Sequence, residues 1–158
     1  DFKEYKLDEN KFKKSFSKKN SKLIIFENDL SIQGRDELYK SYENIFFIIL
    51  KNDKRKLPLN KKVYDFKLSL CQNFCNHFSN CHIIEKDEEN FLKDIGECDV
   101  IYPFVGENLD FVLNSCDTGL LNFVIREEDI YCKQFSKKGF FNFKKNINRI
   151  IDHLKLTK

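Results

Sequence analysis

The sequence predicts an α/β fold: a mixed, mostly parallel five-stranded sheet with helices on both faces, in the order β-α-β-α-β-α-β-β-α. Three observations predict it. Short apolar runs rich in Ile, Val and Phe recur from residue 45 onward. Segments with apolar residues at helical spacing separate them, the pattern of successive βαβ units. No second core, internal repeat or low-complexity linker interrupts the series. At 158 residues the chain has the length of one domain with an arm, enough to bury a sizeable core.

Residues 1–44 read as a basic N-terminal arm holding a short strand. Residues 1–22 carry eight Lys and four acids, a net of +4. Phe2, Tyr5, Leu7, Phe12 and Phe16 are too dispersed to form a core. Leu23-Ile24-Ile25-Phe26 is the short strand, with a helical turn around Glu37-Leu38-Tyr39 after it. Residues 45–158 read as a single α/β domain. Ile45 to Leu50 is a continuous β-branched and aromatic run, suited to a strand buried on both faces. After the charged loop Asn52 to Asn60, Val63, Phe66, Leu70, Phe74 and Phe78 recur at three and four, which predicts an amphipathic helix.

Cys81 to Ile84 predicts the second strand of this domain, and Glu88 to Ile95 a short helix ended by Gly96. Val100 to Val105 predicts the third strand; Pro103 cannot donate to a ladder and belongs near its end. Leu109 to Asn114 predicts another short helix. Leu120 to Ile125 and Ile130 to Phe135 read as strands joined by the hairpin loop Arg126-Glu127-Glu128-Asp129. The last helix runs from Phe140 to Leu154, with Phe143, Ile147, Ile150, Ile151 and Leu154 on one stripe.

Composition narrows the class without naming a function. Seventeen Phe and 15 Ile stand beside no Ala, Met or Trp; with 24 Lys and 16 Asn this matches the codon usage of an AT-rich genome. Collagen and Gly/Pro-rich disorder are excluded, and no apolar run approaches the ~20 residues of a membrane span. The six cysteines sit in apolar segments that can be buried without crosslinks, so reduced core thiols are expected, which suits the cytosol or an organelle matrix. Cys71, Cys75, His77, Cys81 and His82 supply zinc-type ligands, but their spacing departs from that of common sites. Neither a metal nor a cofactor is expected.

Charge is unevenly placed. Residues 85–129 carry a net of −10 and residues 133–158 a net of +7. On the last helix Lys144, Lys145 and Arg149 fall off the apolar stripe, and Lys137 and Lys138 precede it. This reads either as a solvated face or as a surface for phosphates, whose counterions clustered cations displace. Signs of catalysis are missing: there is no G-x-S-x-G elbow, no Walker loop and no G-x-G-x-x-G. Asp99, Glu107 and Asp110 surround the end of the third strand, where α/β sheets bind ligands, and read as a solvated turn. No enzyme activity is expected.

Three stretches carry a family resemblance: Ile45 to Leu50 leading to the long helix, Asp99-Val100-Ile101-Tyr102-Pro103-Phe104-Val105-Gly106-Glu107, and Leu121-Asn122-Phe123-Val124-Ile125-Arg126. With them, residues 43–156 resemble the anticodon-binding domain of class II aminoacyl-tRNA synthetases of the histidyl, threonyl, prolyl and glycyl group. The extra segment Leu109 to Thr118 departs from that pattern. The resemblance implies a non-catalytic RNA-associated domain: a tRNA- or rRNA-binding accessory or a ribonucleoprotein subunit. Lys137, Lys138, Lys144, Lys145 and Arg149 would contact RNA phosphates. Asp99 to Asn108 followed by Leu109-Asp110-Phe111 also resembles the N-terminal domain of ATP-grasp ligases, which implies a ligase fragment. A third alternative is a structural module that docks into a larger complex.

Overall fold

The computed structural model describes residues 14–15, 17–136 and 139–155. They fall into two compact units divided between Val124 and Ile125. The segment Leu23 to Phe26, read as a short strand of the arm, lies within β2 (Lys22–Phe26). Its apolar residues alternate between two cores. Leu23 and Ile25 pack with Tyr39, Tyr42, Phe47 and Phe74, whereas Ile24 and Phe26 pack with Leu92, Val100, Leu109 and Phe123. A strand apolar on both sides belongs in the middle of a parallel sheet. There β2 sits, between β3 (Asn44–Ile48) and β5 (Cys98–Ile101).

The sheet is completed by β4 (Cys81–Ile84) beside β3, β6 (Leu121–Val124) beside β5, and the two-residue β1 (Lys14–Ser15) beside β6. Every pairing is parallel. Helices α1 (Asp36–Lys40) and α2 (Lys61–Cys75) supply Tyr39, Cys71 and Phe74 to one core. The other core takes Leu92 from α3 (Glu88–Asp94) and Leu109, Phe111 and Val112 from α4 (Glu107–Ser115). The fold class is therefore α/β with helices on both faces. The chain runs outward from β2 through β3 to β4, then returns past β2 to β5 and β6. That reversal puts a topological switch point between β2 and β5.

Three details depart from the sequence reading. The helix α2 turns Tyr64, Leu68, Cys71 and Cys75 inward, while Val63 and Phe66 are exposed. Spacings of four, three and four fit the helical period as well as the stripe begun at Val63, and they let an amphipathic Tyr keep its polar end near solvent. Second, Cys75 at the end of α2 and Cys81 at the start of β4 form a disulfide, with Cα atoms 5.0 Å apart; Cys71, Cys98, Cys116 and Cys132 are free.

Third, the expected closing hairpin is helical. Residues after Ile125 form α5 (Glu127–Ser136), α6 (Phe140–Lys145) and α7 (Ile147–Leu154). Arg126 closes a salt bridge with Asp129 at 2.7 Å, three residues on. Acids at the start of α5 suit a helix N-terminus, and short apolar runs such as Ile130 to Cys132 fit either period. The sheet is thus parallel throughout, with no antiparallel strand among the described residues. The last helix is split at Asn146, whose side-chain amide donates to the Asn142 carbonyl at 2.8 Å.

Candidate functional site

Parallel strands all begin at one edge of the sheet and end at the other, so each edge gathers a different set of loops. At the carboxyl edge, Glu27 and Asn28 follow β2 directly, and the segment Tyr102 to Gly106 leaves β5 for α4. Phe104 adopts a left-handed backbone, φ 59°, a costly conformation for a bulky side chain. The Asn28 amide donates to the Pro103 carbonyl at 3.1 Å and accepts from the Asn108 amide at 3.2 Å. These bonds tie the two sides of the switch point.

Across it lies Arg55, from the loop between β3 and α2. Its guanidinium is fully buried and donates to Glu27 at 2.5 Å, to Glu107 at 2.9 Å and to the Leu50 carbonyl at 2.9 Å. Lys67 reaches the other Glu27 oxygen at 3.2 Å. Burial works against the Arg55 charge, yet its hydrogen bonds and the fields of Glu27 and Glu107 hold its pKa above the ordinary value. Open α/β sheets bind ligands in the crevice at this position. Here the chain's own cation bridges it. Flanking cations of the same loop make exposed pairs, Lys54 with Glu89 at 3.2 Å and Lys56 with Asp110 at 2.7 Å.

Asp99 is not part of this edge. It is wholly buried near the start of β5, because it precedes the apolar residues of its strand. Its carboxylate accepts from the Lys19 and Asn20 backbone N–H groups at 2.9 and 3.1 Å and from the Asn20 and Asn122 side-chain amides, both at 2.9 Å. The Tyr42 hydroxyl donates to it at 2.7 Å. Burial, then the bond to Asp99, pushes the Tyr42 hydroxyl far above its usual pKa. Of the three acids grouped by the sequence, only Glu107 and Asp110 share the carboxyl edge. No group of three or more His, Cys, Asp or Glu side chains converges as a metal site would require among the described residues; His77 and His82 are exposed.

The cationic residues singled out from sequence lie in the second unit. Lys137 and Lys138 fall outside the described residues. Lys144 and Lys145 occupy the last turn of α6 and Arg149 lies on α7, all exposed. None of the three forms a salt bridge among the described residues. The Arg149 guanidinium sits 5.8 Å from the centre of the Phe135 ring, within reach of a cation–π contact.

What sequence reasoning missed is the company these cations keep. Phe140 and Phe141 are 68% and 79% exposed. At 3.6 residues per turn, Phe140, Phe141, Lys144 and Lys145 lie within an arc of roughly 140°. Asn142 and Phe143, by contrast, are partly buried. Two aromatic rings and two ammonium groups therefore alternate on one solvent-facing surface. The signal is present as Phe-Phe-x-x-Lys-Lys, but a stripe drawn through Phe143 gives Phe140 and Phe141 no role. Comparison with known protein families, curated proteins and solved structures finds no match to this chain.

Proposed function

We propose that this chain is a non-catalytic RNA-associated protein, a tRNA- or rRNA-binding accessory or ribonucleoprotein subunit, whose second unit holds single-stranded RNA on the outer face of α6. The observation that supports this reading is the alternation of exposed Phe140 and Phe141 with exposed Lys144 and Lys145. Single strands are bound by cations that follow the phosphates together with aromatic rings on which bases stack, each stacked base contributing about 1–3 kcal/mol. Arg149, exposed on α7, supplies a third phosphate contact.

The test is fluorescence anisotropy with a labelled oligouridylate of about twelve nucleotides. Three phosphate contacts on a single strand predict roughly a 30- to 50-fold loss of affinity between about 50 and 300 mM salt. Lys144→Glu with Lys145→Glu weakens binding and flattens the salt dependence. Phe140→Ala with Phe141→Ala weakens binding and leaves that slope unchanged. Affinity indifferent to salt or to both pairs of substitutions overturns the proposal, as does binding to anionic vesicles but not to RNA.

A further inference from the structure

The carboxyl edge holds a second candidate site, one strand away from the crevice that Arg55 bridges. A cavity of about 500 Å³ opens beyond the ends of β3 and β4, within the size range of small-molecule sites. Its walls come from three connections. Lys51 and Asp53 belong to the loop after β3, Lys61 and Tyr64 to the first turns of α2, and Glu85 and Lys86 to the turn after β4.

The wall chemistry is sorted. Lys51 and Lys86 form no salt bridge among the described residues, in contrast to Lys54, Arg55 and Lys56 on the same edge. Lys61 is shared with Asp65 at 2.6 Å, a pair exposed to water and weak for that reason. Tyr64 offers a half-buried ring. Burial, then the charges of Glu85 and Glu88, raises its hydroxyl pKa and keeps it a donor. Asp53 and Glu85 are acceptors. Immediately after Lys86, Asp87 is left-handed at φ 57°, a conformation Asp tolerates, and turns the chain from β4 into α3.

We propose that this cavity binds a phosphorylated sugar, free or as part of a mononucleotide. Lys51, Lys86 and Lys61 take the phosphate, Asp53 and Glu85 accept from sugar hydroxyls, and Tyr64 faces the ring. Two unpaired ammonium groups favour a dianion, and two carboxylates on the same wall oppose an anion that brings no hydroxyl donors. Inorganic phosphate alone is therefore the poorer ligand.

Calorimetric titration of the full chain with adenosine 5′-monophosphate, ribose 5-phosphate and inorganic phosphate tests this. Saturable binding of at least one of the two sugar phosphates is expected, tighter than that of inorganic phosphate. Lys51→Glu and Lys86→Glu should each raise Kd at least tenfold. If Tyr64→Ala weakens the nucleotide and spares ribose 5-phosphate, the base is part of the ligand; if both bind alike before and after, the sugar phosphate is the whole of it. Amide shifts of the unsubstituted protein should concentrate at residues 51–53, 61–64 and 85–86, which keeps the test open should a variant fail to fold. No saturable binding of either sugar phosphate up to about 5 mM, or binding unaffected by both lysine substitutions, overturns the proposal. The RNA reading does not depend on the result, since it rests on other residues.

Discussion

Asp99 and Arg55 are both buried charges at an edge of the same sheet, and they are stabilised by opposite means. Asp99, at the amino edge, forms no salt bridge among the described residues; five N–H and O–H donors aim at its two oxygens. Arg55, at the carboxyl edge, meets two carboxylates and one carbonyl. Each charge holds a connecting segment against the sheet: Asp99 fixes residues 19–20, and Arg55 fixes the loop between β3 and α2, which carries a 3-10 turn over Asn52–Lys54. Three of the Asp99 donors come from the held segment itself, residues 19 and 20, whereas Arg55 lies in the held loop and draws on carboxylates 28 and 52 residues away. One buried side chain thus organises each edge, and the two should fail differently.

The largest expected effect is on the carboxyl edge. Arg55→Met leaves the Glu27 carboxylate buried, with the partly exposed Lys67 as its one remaining salt-bridge partner among the described residues. Breaking a buried pair from one side costs about 3–5 kcal/mol, read as a fall in stability by urea denaturation. Replacing both members, Glu27→Leu with Arg55→Met, should cost less than the single change, because the charges that then lose a partner, Glu107 and Lys67, are both partly exposed. A double variant less stable than Arg55→Met alone would break the comparison, for then the pair would contribute more than its mutual compensation.

At the amino edge the expected loss is smaller and graded. Tyr42→Phe removes one of five donors to a charged acceptor, an interaction of about 1.5–3 kcal/mol; with four donors left, the lower end is expected. High pH should also act on this edge. Burial raises the Cys98 thiol, next to Asp99, to about 12, and the Tyr42 hydroxyl higher still. Both groups stay protonated in the folded chain above their unfolded values of about 8.5 and 10, so the folded state binds more protons there and stability falls as pH rises. Cys71, also raised to about 12 by burial, adds to the slope. Cys98→Ala should flatten the decline of the urea midpoint between about pH 8.5 and 11, and an unchanged decline would show that the buried thiol is not its source.

Strand-forming residues were legible in the sequence because their periods are short and local. Ile45 to Leu50, Cys81 to Ile84, Val100 and Ile101, and Leu121 to Val124 all lie in or beside strands. The centrality of β2 was not legible, since four apolar residues in a charged segment look alike in an arm and in the middle of a sheet; only their alternation between two cores distinguishes the cases. The hairpin was misread because Ile130-Tyr131-Cys132 satisfies a strand and Phe135 a helix, and the acids before them serve either a turn or a helix start. Both edge charges were hidden for a third reason. Asp99 and Arg55 gain meaning only from partners 23 to 80 residues away, and nothing local marks them as buried.

The smallest expected effect lies within three consecutive residues of one loop. Lys54, Arg55 and Lys56 each pair with an acid, at 3.2, 2.5 and 2.7 Å respectively. Distance alone would rank Lys56 close to Arg55. Exposure reverses that, because water already solvates Lys56 and Asp110, and holding both long side chains in one geometry costs entropy that offsets the attraction. Lys54→Gln and Lys56→Gln should therefore leave the urea midpoint unchanged within error, singly and together, both at low salt and where added salt screens exposed charges. A fall approaching that of Arg55→Met in either variant would mean that the loop is held by its rim, and that the switch point owes its closure to a charge network rather than to one buried guanidinium.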